Sequence, residues 1–498
     1  MTIDTDSTPT EGIDLRSKML FGMSWAFVQQ FATQVISFST GIALARLLTP
    51  DEFGTLAMVS VLTGFAMVFS NMGTASLVVT KSELSQHDLS TIFWFNITIG
   101  FVIAATICGS AGWIAAFYKT PSLYSITLVM SSSFILTSTG ATSAALLQRR
   151  LQFDRLAAVA TGAVLLSSIT AIAMAWYGFG VWALVARILI AAVTVTVASF
   201  YLARWFPSFQ FSKHSLSQLW SYGSPLTGNR IMNYWLRNAD NMAVGKYWGA
   251  TSLGAYDLAY RLMRLPQSQA SAIISKVLLP TLSLIKEDKQ RVKRLYIKTA
   301  TTIAVFAFPF SCFVFLYSDA IIDVLYGQKW AMAVPLLRAL ALLGGLQSVS
   351  MINGAVFESQ NQTKFLLWST LPIKLIILAV ILISVRYSVL TLAISYVIVS
   401  LVVMVPYCYI VGRVIPMGVA EFYGALAKPF IAAVLMTCIA FVTSTLLPEA
   451  TSSLAYLCVG LVVCGVSYVL LITLLQVPIA REIYDLLVKK ILKRKKAV

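Results

Sequence analysis

The chain has 498 residues, of which 58% are hydrophobic and only 11% charged, with a formal net charge of +17. A soluble domain carries about a quarter charged residues, so the composition excludes an ordinary water-soluble globular protein. The basic excess does not point to nucleic acid, because the cations cluster in short segments between long apolar runs, where they fix membrane topology and meet anionic head groups.

In chain order, residues 1–19 are polar and read as a cytoplasmic tail, without the apolar core and cleavage site of a signal peptide. Apolar runs of about 20 residues or more follow, each long enough to cross a hydrocarbon core. They fall at 20–46, 55–79, 91–117, 123–147, 156–176, 179–202, 219–247, 253–280, 297–318, 331–357, 364–386, 388–412, 426–447 and 453–477. A crossing must satisfy its own backbone, so about 14 transmembrane helices are expected. The continuous runs exclude the alternating strands of an outer-membrane barrel. Residues 20–202 then form a six-helix lobe, 203–218 a cytoplasmic linker and 219–412 a second six-helix lobe. Residues 413–477 add a loop and a terminal helix pair, and 478–498 a basic cytoplasmic tail containing KKILKRKK. With the N-terminus inside, Arg46, Lys119, Lys246, Lys329 and Arg386 are the cations of the outward loops, and most of the others lie on the cytoplasmic side. Both termini are therefore expected in the cytoplasm.

One junction is written twice. IALARLLTPDEFG (Ile42–Gly54) and MAVGKYWGATSLG (Met242–Gly254) align at an offset of 200, with Arg46 over Lys246 and Gly54 over Gly254. Six crossings separate the copies, and an even number makes the repeats parallel. The expected fold is an all-α polytopic membrane protein, with two parallel six-helix lobes around a central cavity and a terminal helix pair.

Charge is distributed unevenly within the apolar runs. At about 100° per residue, Arg230, Asn233, Tyr234, Arg237, Asp240 and Asn241 share one stripe of the seventh helix. Asp257, Arg261, Arg264, Ser268, Ser271 and Ser275 share one stripe of the eighth. Ionisable groups inside a membrane are costly and face protein or water, so the two stripes suggest the wall of a hydrated cavity. Arginine forks hold phosphate oxygens bidentately, which makes Arg230, Arg237, Arg261 and Arg264, with Asn233 and Asn241, a candidate diphosphate site. A structural alternative pairs Asp257 with Arg261 and Asp240 with Arg237 as internal ion pairs. On the first two helices Gln30, Gln34 and Asn71 are neutral candidates for glycan contacts, or else helix-packing groups.

No catalytic or cofactor pattern competes with this reading. The six cysteines lie within apolar runs, and His87 and His214 stand in separate loops without metal-ligand spacing. There is no phosphate-binding glycine loop and no nucleotide fingerprint. The outward loops are short and hold no paired carboxylates, so an enzyme is not expected.

Four segments resemble those of polysaccharide transporters of the Wzx type, in the multidrug/oligosaccharidyl-lipid/polysaccharide superfamily. They are RNADNMAVGKYWGATSLGAYDLAYRL (Arg237–Leu262), ARLLTPDEFG (Ala45–Gly54), ALLQRRLQFDRLA (Ala145–Ala157) and GFGVWALV (Gly178–Val185). The nearest subgroup is that of colanic acid and other exopolysaccharides. The resemblance implies a bacterial inner-membrane flippase that moves undecaprenyl-diphosphate-linked oligosaccharide repeat units by alternating access. It also implies a lumen lined by cations and, as partners, a polysaccharide polymerase and co-polymerase. Coupling to a proton or sodium gradient is implied by the superfamily, with Asp240, Asp257 and Glu358 as the acids to test. A cation-coupled multidrug antiporter and a peptidoglycan lipid-precursor flippase are the alternatives of the same superfamily.

Overall fold

The computed structural model describes residues 12–70, 78, 84–209, 213–268, 274, 278–448 and 452–477, with side chains described from residue 29 onward except 68–70 and 213–233. Among these residues the secondary structure is helical and no strand occurs. The chain packs as two units, Met1–Asn238 and Ala239–Val498.

In the N-terminal unit, α1 (Gly12–Leu47), α2 (Pro50–Ser70), α3 (Gln86–Tyr118), α4 (Leu123–Arg149), α5 (Phe153–Trp176) and α6 (Val181–Ala203) follow the first six expected crossings. Local chemistry sets their ends. Pro50 opens α2, where its missing N–H costs nothing. Ser85 caps α3 in a reciprocal box: its hydroxyl accepts the Asp88 amide at 3.1 Å, and the Asp88 carboxylate accepts the Ser85 amide at 3.1 Å. α4 is rich in hydroxyls, and Ser131, Ser132, Ser133, Thr137 and Thr139 donate to backbone carbonyls of their own helix. That bonding satisfies polar groups that would otherwise be costly in an apolar helix.

α7 (Lys213–Met263) is a 51-residue helical run broken at Gly249, whose φ of 77° a side chain would strain. The expected helix at 219–247 is the first arm of this run, and the second arm covers the one expected at 253–280 as far as Met263, with the break inside the second copy of the repeated junction. The first copy breaks at the equivalent place, between Leu47 and Pro50. The boundary between the two units falls within the first arm of α7, later than the expected linker at 203–218. The reason is packing on α2. The Tyr234 hydroxyl donates to the Val61 carbonyl at 2.6 Å, and Trp235 lies 4.7 Å from Phe65 between ring centroids.

The C-terminal unit continues with short α8 (Leu279–Leu284), then α9 (Lys289–Leu316) and short α10 (Ser318–Leu325). A 3-10 turn (Gln328–Trp330) precedes α11 (Ala333–Ser350) and α12 (Ile352–Ser359), which together occupy the expected crossing at 331–357. α13 (Thr363–Ser384), α14 (Val389–Gly412), α15 (Val419–Thr445) and α16 (Ser453–Leu474) complete it. Nine of the described segments are long and apolar enough to cross a membrane. The terminal pair packs within this unit, α15 on α9 and α16 on α15. Lys293 pairs with Glu421 at 2.9 Å, and the Ser453 hydroxyl donates to Asp323 at 2.6 Å.

The repeat is visible in the packing of each unit. In the first, α3 packs on α4, α5 on α6 and α4 on α6; in the second, α9 packs on α11, α13 on α14 and α11 on α14. Each unit also ties its repeated junction to its own later loop. Glu52 lies against Gly180, where an added Cβ would stand 2.5 Å from its carboxylate, and the same side chain accepts the Thr49 amide at 2.6 Å. In the second unit the Trp248 indole donates to the Val385 carbonyl at 2.6 Å.

The segment ALLQRRLQFDRLA is a second tie in the N-terminal unit. Arg149 donates to the Val78 carbonyl and Arg150 to the Ala203 carbonyl, both at 2.8 Å, while Arg155 reaches Leu202. These three cations therefore close backbone carbonyls around an apolar cluster that includes Phe93 and Trp205.

Candidate functional site

The second arm of α7 and the turn that follows it carry Asp257, Arg261 and Arg264. Asp257 and Arg261, one turn apart, form an ion pair at 2.7 Å. Arg261 keeps 57% of its side chain exposed, against 15% for Asp257, so the pair leaves guanidinium surface available. Arg264 is exposed and lies over the Tyr260 ring, 5.7 Å from its centroid, which holds the guanidinium by a cation–π contact.

Asp240 is buried, with 4% exposure. Its carboxylate accepts the Tyr256 hydroxyl at 3.0 Å and the Asn241 amide at 2.8 Å. These contacts take the place of the Arg237–Asp240 pairing weighed from spacing. The Asn241 side-chain oxygen is buried and has no hydrogen-bond partner among the described residues.

Close helix contact brings neutral polar groups beside these charges. At Gly344 of α11 an added Cβ would meet the Met263 carbonyl oxygen at 2.5 Å, so only glycine lets the end of α7 lie this close. One turn along α11, Gln347 accepts an amide hydrogen from Gln267 at 2.7 Å and donates to the Tyr396 hydroxyl of α14 at 3.0 Å. Tyr396 in turn lies beside Tyr260, and Tyr260 is stacked on Tyr256 with centroids 5.9 Å apart. Charge and neutral hydrogen-bonding groups thus form one connected patch across α7, α11 and α14.

The structure brings Asp240, Asn241, Asp257, Arg261 and Arg264 into this unit. Glu358 is exposed near the end of α12, apart from the patch along the sequence of contacts just described. Arg237 is exposed and belongs to the N-terminal unit, as do Gln30 (exposed) and Gln34 (half-buried) on α1. The side chains of Arg230 and Asn233, and Asn71 altogether, lie outside the described residues. Sequence reasoning did not select Tyr256, Tyr260, Gln267, Gln347 or Tyr396. Polar residues inside apolar runs were the available signal. Their convergence is tertiary, since Gln267 and Gln347 are 80 positions apart.

The fold defines a class: among the described residues it is that of an all-helical, multi-pass membrane protein. It resembles the structure of the lipid II flippase MurJ in its inward closed conformation, with a TM-score of 0.74 at 14% identity over 91% of this chain and 98% of that one. It also resembles an inward-facing multidrug-resistance transporter of the MATE family, with a TM-score of 0.61 at 15% identity, covering 80% and 96%. Residues 43–335 match the polysaccharide biosynthesis protein family, and the chain belongs to that family. Among its relatives, the teichuronic acid biosynthesis protein TuaB of Bacillus subtilis is 24% identical over 86% of this chain and 89% of its own. The succinoglycan biosynthesis transport protein ExoT of Rhizobium meliloti is 24% identical over 93% and 94%, and the lipopolysaccharide biosynthesis protein WzxC of Escherichia coli is 24% identical over 68% and 69%.

Proposed function

We infer that this chain is a flippase of the bacterial inner membrane, which moves undecaprenyl-diphosphate-linked oligosaccharide repeat units from the cytoplasmic to the periplasmic leaflet for polysaccharide export. The observation that carries the reading is the pair Arg261 and Arg264, exposed at the end of α7 in a member of the polysaccharide biosynthesis family. Two guanidinium groups one turn apart can grip a diphosphate through charge-assisted hydrogen bonds, and in a membrane protein such a pair is tolerated only where it faces protein or water. The names of TuaB, ExoT and WzxC, each tied to making a surface polysaccharide, support this cargo over a drug. Alternating access then carries the polar head across while the lipid tail stays in the bilayer. A downstream polymerase and co-polymerase receive the product. The protein performs no covalent chemistry on it.

Asp240 is the acid we assign to ion coupling. Asp257 is committed to Arg261, whereas Asp240 is buried and bonded to a hydroxyl and an amide, so a proton or sodium ion can occupy it in one state and leave it in another.

The test uses purified full-length protein in liposomes, with a fluorescent undecaprenyl-diphosphate oligosaccharide whose outer-leaflet fraction is read by chemical quenching. Protein-dependent flipping supports the reading, and equal rates with and without protein refute it. Asp240→Asn is expected to keep flipping but abolish its acceleration by an imposed proton or sodium gradient. A gradient response equal to that of the wild type would remove Asp240 from the coupling role.

A further inference from the structure

The diphosphate and the first sugar of the cargo are joined by one bond, so groups that recognise them must be neighbours in the protein. The C-terminal unit shows such a neighbourhood. Arg264 lies over Tyr260, and Tyr260 lies beside Tyr396, which receives a hydrogen bond from Gln347, itself hydrogen-bonded to Gln267. A guanidinium is therefore continuous with a line of neutral hydroxyl and amide groups. Gln267 is 6% exposed, whereas Tyr260, Gln347 and Tyr396 are only half-buried, which leaves the middle of the line within reach of a ligand. A glutamine side chain offers two N–H donors and an acceptor with two lone pairs. The two hydrogen bonds of Gln347 use one donor and one lone pair, and a sugar hydroxyl can take the remainder.

We propose that Tyr260, Gln347 and Tyr396 form the subsite for the diphosphate-proximal sugar of the cargo and discriminate its hydroxyl pattern. This proposal rests on the flippase reading above and adds to it a place for glycan selectivity in the C-terminal unit, beside the arginines. Two of the neutral residues that the sequence offers, Gln30 and Gln34, belong to the other unit. A site built to hydrogen-bond a hydroxyl loses discrimination when its partner group is removed, because selectivity there depends on pairing rather than size.

The opposing account is that these side chains only hold α7, α11 and α14 together, as interhelical hydrogen bonds do. A packing role would alter all cargoes alike; a recognition role alters their ratio. The experiment compares flipping of two fluorescent probes in proteoliposomes, undecaprenyl diphosphate without sugar and the same lipid carrying the oligosaccharide. Tyr396→Phe removes a single oxygen, and Gln347→Leu keeps the side-chain volume close; each is followed by thermal unfolding in detergent. The proposal expects the ratio of glycosylated to unglycosylated flipping to fall about three- to tenfold in each variant, the size of a neutral hydrogen bond. Arg264→Gln should lower both rates. An unchanged ratio in both variants, whether the two rates hold or fall together, overturns the sugar subsite and leaves the flippase reading standing. Failure of the wild type to move either probe overturns the flippase reading, and the subsite with it.

Discussion

The two copies of the repeated junction are followed by helices that meet opposite fates. In the N-terminal unit, positions 61–65 of α2 are covered: Val61 is 3% exposed, Tyr234 bonds its carbonyl, and a Cβ on Gly64 would meet the Tyr234 hydroxyl at 2.5 Å. At the same offset in the C-terminal unit stand Arg261 and Arg264, both exposed. Thr40 and Asp240 make the same contrast in the interior. Thr40 is buried and satisfies itself on the Ile36 carbonyl at 2.7 Å, whereas Asp240 relies on Tyr256 and the Asn241 amide. One copy of the repeat has been closed into a packing surface and the other kept open and charged. A repeat preserves backbone geometry, and function enters through the side chains placed on one copy.

This contrast can be broken at several places. Arg264→Glu should reduce flipping in liposomes roughly tenfold to a hundredfold, since it removes a charged hydrogen-bonding partner and adds repulsion; a near-normal rate would end the asymmetry argument. Gly344→Val should cost about 1–3 kcal/mol, read as a lower thermal midpoint, because the new side chain drives into the Met263 carbonyl. A midpoint equal to that of the wild type would show that the end of α7 does not need this close approach. In the N-terminal copy, Gly64→Ala should lower stability by about 1 kcal/mol, and adding Tyr234→Phe should restore part of the loss. Additive effects of the two changes would mean that the contact is not what limits residue 64. The smallest effects belong to the loop ties. Glu52→Ala and Trp248→Phe should each cost about 1 kcal/mol, with transport changed little when assayed well below the midpoint. A large transport defect without destabilisation would make these ties part of the transport cycle.

The membrane class, the placement of the crossings and the doubled junction were legible because all depend on runs of apolar residues and local turn chemistry. Pro50 and Gly249 mark breaks that a reader of φ preferences can anticipate. The ion pair Asp257–Arg261 was equally open to reading, since helical spacing alone brings i and i+4 together. Where pairing depended on tertiary contact, spacing misled or fell silent. Asp240 lies one turn from Arg237 but takes its hydroxyl donor from Tyr256, across the Gly249 break. Gln347 carries no local sign that it meets Gln267 and Tyr396, because the meeting follows from the Gly344 contact between α7 and α11. The arginines of ALLQRRLQFDRLA contribute to the family resemblance, yet they are bonded to backbone carbonyls and serve the framework.

The central claim is that the charged copy holds the diphosphate. The direct measurement is flipping of the undecaprenyl-diphosphate oligosaccharide probe by a variant in which Arg230, Arg237, Arg261 and Arg264 are all changed to Gln, with folding checked by thermal unfolding. The account predicts a folded protein whose flipping falls to the protein-free rate. A folded variant that flips at the wild-type rate would contradict it.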